Sequence, residues 1–359
     1  MTPLQIGVDA RELLGARTGV GQYLAELLSR WTARPDAASR RFLLYSPEPL
    51  TLAWPHAEVQ VAPGGRGTWW EQTTLSAAVR RDDPDVFFAP AYTAPVSLGS
   101  PLAVTIHDVS FSRHPEWFRF RERKRRQILT RTSARRAGVV LTVSEFSRGE
   151  IEELCGIPAG RIRVIPSGLT PRVALGGIRE PLVLYSGSIF NRRRVPDLIA
   201  AFAIVSRAVP DARLVVAGAN RTWPRQDLSA IVDAHGVGGR VALRDYVSDE
   251  ELASLYGRAS AFAFLSEYEG FGFTPLEALS AGVPIVVLDT AVAREVYGDA
   301  AVFVERGDVR AAASALTELL SSPEAATRLL ARAPAVLARY SWDEAAGATL
   351  AAIEGIARR

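Results

Sequence analysis

The chain passes from an apolar run into a helical pattern at Glu269-Gly-Phe-Gly-Phe-Thr-Pro-Leu-Glu277. The apolar run before it, Ala261-Phe-Ala-Phe-Leu-Ser266, is typical of a buried strand. Thr274 is a good N-cap residue, and Pro275 suits the first helical position because its missing N–H is not needed there. With two glycines just before them, the pattern predicts a tight turn and a helix whose N-terminus can bind an anion.

Two glutamates flank this turn, and their chemistry predicts the ligand. Glu269 and Glu277 would accept hydrogen bonds from hydroxyl groups, because an ionised carboxylate only accepts. Phosphate in the middle and hydroxyls at both ends describe a sugar nucleotide. A second interpretation of Glu277 stays open, since Thr274-x-x-Glu277 is also a capping box. A capping box does not explain Glu269, Gly270 or Gly272, so the nine residues together favour a binding site.

The composition limits the class of protein. With 359 residues, 48% of them apolar and 23% charged, the chain is ordinary globular protein with room for two domains. The net charge of +3 is too small to favour a nucleic-acid partner. Cys155 is the only cysteine, which is typical of a reducing compartment. No apolar run reaches the ~18 residues that span a bilayer, and the N-terminus resembles a strand more than a signal peptide, so we expect a cytoplasmic protein.

Short apolar runs alternate with helical patterns along the whole chain. Near-continuous apolar strands separated by helices predict parallel sheets that are covered on both faces. The predicted strands of the first half are 4–8, 42–45, 59–62, 86–88, 103–106, 139–143 and 162–165, and those of the second half are 182–185, 214–217, 241–243, 261–265, 285–288 and 301–304.

The two halves are joined by a segment rich in proline and glycine, from Pro166 to Pro181. We therefore predict an α/β protein with two doubly wound, Rossmann-like parallel-sheet domains, residues 1–168 and 169–340. Residues 341–359 form a terminal helix that can return to the first domain. Domains of this kind bind ligands beyond the carboxyl ends of their strands, so the two sheets would face a cleft.

Two capping boxes mark other helix starts. Ser147-x-x-Glu150 predicts a helix that begins at Ser147 and ends near Leu154. Ser341-x-x-Glu344 predicts the start of the last helix.

Two motifs follow predicted strands in the first half. Gly15-Ala-Arg-Thr-Gly19-Val-Gly21 precedes a helix expected near Gln22, and its glycines would let the backbone approach a phosphate; a plain tight turn is the alternative. His107 and Asp108 follow the strand that ends at Ile106. A polar pair at the carboxyl end of an apolar strand favours a place at the binding edge of the sheet, although a structural histidine is the alternative.

A cluster of cations follows the first strand of the second half, at Gly187-Ser188-Ile-Phe-Asn-Arg192-Arg193-Arg194. A glycine, a hydroxyl and fixed positive charges suit a diphosphate, which arginine can hold with two parallel hydrogen bonds. A solvated loop is the alternative interpretation.

A second basic run extends from Arg119 to Arg136, with nine basic residues and one acid, Glu122. On a helix it could dock on anionic lipid headgroups, which would place the protein at the inner face of the membrane. A solvated helix face is the alternative.

With these motifs assembled, the chain resembles the retaining glycosyltransferases of family 4, which have the GT-B fold, over nearly its whole length. The similar segments are Asp9-Ala-Arg with Thr18-Gly-Val-Gly-Gln-Tyr23, Val104-Thr-Ile-His-Asp108, Leu141-Thr-Val-Ser-Glu-Phe-Ser147, Arg161-Ile-Arg-Val-Ile-Pro-Ser-Gly168 and Ser266-Glu-Tyr-Glu-Gly-Phe-Gly-Phe-Thr-Pro-Leu-Glu-Ala-Leu279. The last, with its paired glutamates, is the most specific. The segments look most like members that transfer mannosyl units in polysaccharide assembly.

The resemblance implies a role for each candidate residue. Glu277 would hold the ribose hydroxyls of the donor and Glu269 would lie beside its sugar, while His107 would contact the sugar near the reacting carbon. Arg192 and Arg193 would neutralise the departing diphosphate. The further donor-binding residues would be Gly19, Gly21, Gly187, Ser188, Gly270, Phe271, Gly272, Phe273 and Thr274.

The family works without a bound metal or other cofactor, and no cluster of histidine, cysteine and carboxylates has metal-ligand spacing here. Asp83-Pro-Asp85 has the D-x-D pattern of metal-dependent sugar transferases, but its proline and its place before a strand predict a turn.

The chain also departs from the family pattern. Arg193 stands where lysine is usual, and because Lys124 is the only lysine in the chain, we expect the charge and its function to be kept. Ser167, Phe273, Thr274 and Arg294 are further departures that bear on the choice of donor or acceptor.

These observations lead to a retaining hexosyltransferase, of mannose or glucose type, as the first hypothesis. Its donor would be a nucleotide-diphosphate sugar, and its acceptor a saccharide, a lipid-linked saccharide or a small molecule. A sugar-nucleotide epimerase of the same architecture and a non-catalytic subunit that binds sugar or nucleotide are the alternatives. An epimerase would need more acid and base groups than the sequence offers.

Overall fold

Two parallel β-sheets organise the chain, one in each of two compact units. The computed structural model describes residues 2–15, 19–172, 174–175 and 178–358. Each unit layers helices and a parallel sheet, as the alternating pattern predicts. The first unit comprises Met1–Pro115, Phe120–Gly168 and Tyr340–Arg359, and the second comprises Glu116–Arg119 and Leu169–Arg339.

The first unit contains a seven-stranded sheet in the order β3-β2-β1-β4-β5-β6-β7, with every neighbouring pair parallel. Its central strands β4 and β5 are buried at every position, which explains their continuous apolar sequence. The strands are β1 Leu4–Asp9, β2 Arg40–Ser46, β3 Ala57–Val61, β4 Val86–Ala89, β5 Leu102–Thr105, β6 Val139–Thr142 and β7 Ile162–Val164.

Helices connect these strands, and a π-helical turn, Glu71–Leu75, joins the second helix to the third. The helices are α1 Gly19–Ala33, α2 Thr68–Trp70, α3 Ser76–Asp82, α4 Ser110–Arg113, α5 Phe120–Arg136 and α6 Glu145–Cys155.

The second unit contains a six-stranded parallel sheet in the order β10-β9-β8-β11-β12-β13. The strands are β8 Glu180–Ser186, β9 Arg213–Ala217, β10 Val241–Arg244, β11 Ala259–Phe264, β12 Ile285–Leu288 and β13 Ala301–Val304. The helices are α7 Val195–Ala208, α8 Leu228–Ala234, α9 Asp249–Arg258, α10 Phe273–Ser280, α11 Ala291–Tyr297, α12 Val309–Ser321, α13 Pro323–Leu330 and α14 Ala333–Leu337.

The predicted architecture of two parallel-sheet, Rossmann-like α/β units is confirmed. All thirteen predicted strands are present, with ends that differ from the prediction by no more than two residues. Each sheet also has the change of strand order, at β1 and β4 and at β8 and β11, that marks a doubly wound fold.

Helix starts were predicted less accurately. The α6 helix begins at Glu145 instead of Ser147, because the extended residue Ser144 is its N-cap and accepts a hydrogen bond from the N–H of Ser147. Because Ser144 is the N-cap, Ser147-x-x-Glu150 does not mark the start of α6, and the Glu150 carboxylate forms an ion pair with Arg113 at 2.6 Å. The helix expected near Gln22 begins three residues earlier, at Gly19.

The last helix, α15 (Trp342–Glu354), returns to the first unit after the chain has completed the second. The predicted cap is confirmed, since the Ser341 side chain accepts from the N–H of Glu344. The indole N–H of Trp31 on α1 donates to the carbonyl of Ala346 over 2.8 Å in a buried setting. Trp342 lies so close to Gly168 that a Cβ on this glycine would come 2.3 Å from the Trp342 nitrogen.

Apart from Arg119, which belongs to the second unit, the basic run lies on α5, on the surface of the first unit. Only Thr130, Ser133 and Ala134 of this helix are buried, while Phe120 and Ile128 expose 66% and 62% of their surface. In the parts of the chain that the structure describes, no helix combines the length and the apolar character needed to cross a membrane.

The contact between Gly168 and Trp342 predicts a large effect of a single methyl group. Gly168→Ala should lower the free energy of unfolding by about 2 kcal/mol or more, because either the added Cβ or the Trp342 backbone must move. Gly160→Ala is the matched control, since nothing lies within 4 Å of its Cβ position. Urea denaturation of both variants measures the difference, and equal stability would contradict the described packing of α15.

Candidate functional site

The turn between β11 and α10 is built on a left-handed glycine. Gly272 has φ 94° and is the N-cap of α10, whose first helical residue is Phe273. A Cβ on Gly272 would lie 2.1 Å from the hydroxyl of Tyr297, which donates to the Gly272 carbonyl over 3.0 Å. Only glycine fits this position without strain. Thr274 and Pro275 therefore lie inside the first turn of α10, and the prediction that they form its N-cap and first position is wrong.

Thr274 has a hydroxyl group that the fold leaves unused. Its Oγ1 atom is buried and has no hydrogen-bond partner among the described residues. A buried polar atom without a partner costs free energy, on the order of 1–3 kcal/mol, unless a ligand or water satisfies it. The hydroxyl lies in the first turn of α10, at the end of the helix whose dipole favours an anion.

Glu277 is a buried carboxylate that pairs with an arginine from outside its helix. It is only 8% exposed, and Nη2 of Arg172 donates to its Oε1 over 3.0 Å. Burial raises the pKa of Glu277, while Arg172 and a hydrogen bond with Tyr256 oppose that rise. In the described residues the side chain makes no hydrogen bond to the start of α10, so the capping-box interpretation is wrong.

Glu269 is the centre of a second ion pair, which is half-buried. Its Oε1 accepts from Nε of Arg193 over 3.0 Å and from the hydroxyl of Ser266 over 2.8 Å. Arg192 lies farther away, with Nε 3.8 Å from the same oxygen, and this Nε has no hydrogen-bond partner among the described residues. Two cations thus share one carboxylate, which leaves net positive charge beside Glu269.

The loop after β8 brings its glycine and serine against the same arginine. Gly187 has φ 121°, and a Cβ there would lie 2.6 Å from Nη1 of Arg193. Nη1 also donates to the carbonyl of Ser188 over 3.0 Å. The Thr274 methyl group would be 3.6 Å from the same Cβ position, so the loop after β8 and the start of α10 are adjacent.

The predicted site residues of the second unit therefore form one continuous group. Gly187, Arg193 and Thr274 are neighbours, and Arg193 connects them to Glu269. The remaining residues of the turn, from Gly270 to Phe273, link Glu269 to α10, and the rings of Phe271 and Phe273 meet edge to face at 5.1 Å.

His107 belongs to the first unit and lies just beyond the end of β5. Its Nε2 donates to the carbonyl of Pro90 over 2.9 Å, since a carbonyl oxygen only accepts. Burial lowers the pKa of His107, so the imidazole is favoured in its neutral form. The Tyr23 ring packs edge to face against it at 5.1 Å.

The glycine loop of the first unit is described only in part. Gly19 and Gly21 lie in the first turn of α1 instead of in a loop before it, and Gly15 has φ 78°. The rest of the predicted phosphate loop, residues 16–18, lies outside the described residues.

The aspartates of the D-x-D pattern have structural partners. Asp85 accepts from the N–H of Gln5 over 2.8 Å, and Asp83 accepts from Arg358 over 3.0 Å. Asp83 is also the left-handed residue that ends α3, in agreement with the predicted turn.

Sequence reasoning missed three residues that support the site. Arg172 lies 105 positions before Glu277, and Tyr256 and Tyr297 come from α9 and α11. Their contacts depend on how the helices pack, and no spacing in the sequence indicates them. The one available signal was an arginine in the segment otherwise interpreted as a linker.

Comparison with known proteins gives matches along both units. The family profile described as "Glycosyl transferases group 1" matches residues 177–336, and the profile "Glycosyltransferase Family 4" matches residues 17–172. The O-antigen chain mannosyltransferase B of Escherichia coli is 28% identical over 289 residues, which cover 75% of this chain and 74% of that protein. The GDP-mannose:cellobiosyl-diphosphopolyprenol alpha-mannosyltransferase of Xanthomonas campestris is 31% identical over 270 residues, or 72% and 68% of the two chains.

The fold is also that of solved enzymes. Sucrose-phosphate synthase from Thermosynechococcus elongatus matches with a TM-score of 0.76 at 18% identity, over 97% of each chain. This likeness concerns the fold, which is GT-B, and the sequence matches concern the family. On both grounds, the chain belongs to glycosyltransferase family 4 and is a glycosyltransferase of the GT-B fold.

Proposed function

We propose that this glycosyltransferase moves a hexosyl unit, of mannose or glucose type, from a nucleotide-diphosphate sugar to an acceptor hydroxyl. The transfer retains the anomeric configuration and needs no metal. One observation carries the proposal. The second unit gathers two arginines, a helix N-terminus, the buried carboxylate of Glu277 and the half-buried one of Glu269, and leaves Nε of Arg192 and Oγ1 of Thr274 without partners among the described residues.

The cationic part of this group suits the diphosphate of the donor. Arg193 is held by Glu269 and by the carbonyl of Ser188, so its charge is fixed in place before a ligand arrives. Oγ1 of Thr274 and Nε of Arg192 can donate to phosphate oxygens, as can the first N–H groups of α10. Such preorganised donors stabilise the negative charge that develops on the leaving diphosphate.

Glu277 suits the ribose of the same nucleotide. A carboxylate that accepts from two neighbouring hydroxyls must stay ionised, and Arg172 favours the ionised form against the effect of burial. Glu269 contacts the same arginines, and the donor sugar that follows the diphosphate would lie beside it.

The reaction can be written with these groups alone. The bond between the sugar C1 and the phosphate oxygen breaks, and the acceptor oxygen bonds to C1 on the same face. The acceptor proton passes to the leaving phosphate. Arg192 and Arg193 supply the charge that a metal ion would otherwise supply, which supports metal independence. We expect His107 to contact the sugar as a neutral imidazole, because burial lowers its pKa.

The relatives favour a mannosyl donor and an acceptor from polysaccharide assembly, because both matched proteins are named as mannosyltransferases and one name includes a diphosphopolyprenol-linked acceptor. The exposed face of α5 supports peripheral contact with an anionic membrane surface, since Phe120 and Ile128 are exposed among its arginines. A cytoplasmic enzyme that meets a lipid-linked acceptor at the inner membrane face fits both observations.

A donor panel tests the proposal. Purified protein, extensively treated with a chelator, is incubated with nucleotide mannose and nucleotide glucose donors and saccharide acceptors, and products are identified by mass spectrometry and NMR. We expect a new glycosidic bond with the anomeric configuration of the donor sugar. Inverted product, strict dependence on added Mg²⁺ or Mn²⁺, or epimerisation of the donor without acceptor would each contradict the proposal.

Arg193 should matter to turnover through its charge. Arg193→Ala should lower kcat by about 100-fold, because a fixed donor to the leaving diphosphate is lost. Arg193→Lys should lower it less, since the charge remains although the two-sided hold on Glu269 and Ser188 is lost. Arg225→Ala is the matched control, an exposed arginine of the same unit that bonds only the Asn220 carbonyl among the contacts described. Equal, full activity of both Arg193 variants would remove this residue from the site.

Arg172 should control the pH dependence of nucleotide binding. Without it, the pKa of Glu277 rises further above its ordinary value, so Arg172→Gln should lose affinity for nucleoside diphosphate as the pH falls from about 8 to about 5. Arg172→Lys keeps the charge and should show a profile near that of the unchanged protein. Calorimetric titration at several pH values measures this, and identical profiles for all three proteins would refute the role.

A further inference from the structure

A separate cavity of about 320 Å³ opens in the first unit. Its walls come from the loop after β1, from α2 and the π-helical turn, from the loop after β4 and from α5. The volume lies at the lower end of the range for small-molecule sites, about 300–1,000 Å³. None of the donor-site residues of the second unit lines it.

One wall carries a buried group of charges. Arg11 bonds the carboxylate of Glu71 and lies 2.8 Å from Asp9, and the exposed fractions of the three side chains are 9%, 2% and 2%. Thr93 also donates to Glu71, over 2.7 Å. Because burying charges is costly, such a group is kept where its fixed polarity is used or where it specifies the fold. Glu71 begins the π-helical turn, an irregularity that is frequent at functional sites.

A second wall contains an unused hydroxyl. Thr130 on α5 is fully buried, lines the cavity, and its Oγ1 has no hydrogen-bond partner among the described residues. The Thr130 hydroxyl, which can donate and accept a hydrogen bond, lies on a different element from the Arg11–Glu71 ion pair.

The third feature is strain next to the predicted catalytic histidine. Tyr92 lines the cavity with φ 64°, a left-handed conformation that is uncommon outside glycine and clusters at functional sites. Its ring meets that of His107 edge to face at 5.7 Å, and its hydroxyl donates to Asp108 over 2.9 Å. The cavity therefore adjoins the end of the first sheet at which His107 lies.

The rim of the cavity is cationic. Arg66, Arg125 and Arg126 line it, and the first and third of these expose 48% and 44% of their side chains. Arg66 forms an ion pair with Glu48, and Arg126 forms an ion pair with Glu122. Three cations at the mouth and carboxylates inside suit a ligand with hydroxyls at one end and an anion at the other.

We propose that this cavity binds the acceptor, and that the acceptor is a saccharide that carries a phosphate group. Its hydroxyls donate to Glu71 and exchange hydrogen bonds with Thr130, and its phosphate is held by Arg125 and Arg126. This assignment rests on the glycosyl transfer proposed above and adds the chemical class of the second substrate.

The test compares a phosphorylated sugar with its neutral counterpart. The full chain is titrated with glucose 1-phosphate and with glucose, and binding is followed by ligand-observed NMR. We expect glucose 1-phosphate to bind at least about tenfold more tightly, and equally in the Arg193→Ala variant, which weakens phosphate binding at the donor site.

Variants locate the binding. Arg125→Gln with Arg126→Gln should remove the preference for glucose 1-phosphate, whereas Arg121→Gln with Lys124→Gln takes the same charge from α5 outside the cavity and should keep it. Thr130→Val preserves the shape of the side chain and should weaken the binding of both sugars by a few-fold. It should not lower the melting temperature, because the lost hydroxyl has no partner among the described residues.

Equal affinity for the two sugars, or equal losses in the cavity and control variants, would overturn the assignment. The assay of donor turnover separates this failure from that of the proposed function. If a donor is turned over while the cavity variants leave glucose 1-phosphate binding unchanged, the acceptor assignment fails alone. If no donor is turned over while the cavity variants lose their binding of glucose 1-phosphate, the cavity is a phosphosugar site and the proposed reaction is wrong.

Discussion

The predicted donor site of the second unit depends on how closely its backbone segments approach each other at the carboxyl ends of the strands. A Cβ on Gly218 would lie 2.0 Å from the Gly187 carbonyl, and one on Gly187 would lie 2.6 Å from Arg193. Gly272 meets Tyr297 just as closely. These contacts leave no room for side chains, and they put main-chain groups and arginine at the place where a parallel sheet binds ligands. Space as well as backbone conformation therefore requires glycine at these three positions.

Charge in this site is arranged before any ligand binds. Glu269 pairs with Arg193, and Arg172 pairs with Glu277, so each of these ions has a partner of opposite sign. Removing Arg172 would leave the buried charge of Glu277 uncompensated, which is costly. Under the proposed function, a diphosphate that enters would meet cations already held by protein partners, and little reorganisation would remain for the moment of reaction. The cavity of the first unit repeats this principle with Arg11 and Glu71.

The sequence predicted most of the fold because apolar strands and glycine turns are local signals. The thirteen strands and the paired-glutamate turn were found in this way. The predicted helix starts were wrong where more than one nearby residue could serve as the N-cap. The N-cap of α6 is Ser144 instead of Ser147, and that of α10 is Gly272 instead of Thr274, because the backbone conformation decides between them. Arg172, Tyr297 and the Arg11–Glu71 pair could not be predicted, because contacts between distant elements have no local pattern.

The return of α15 to the first unit has a consequence for synthesis. The ribosome makes the first unit's sheet early, but the helix that packs against Trp31 and Gly168 emerges only after all of the second unit. The second unit is continuous apart from four residues, so it can reach its final packing while the first still lacks a surface layer. In the order of assembly, the part of the chain that is made first is completed last, and until then its α1 face stays open to chaperones and proteases.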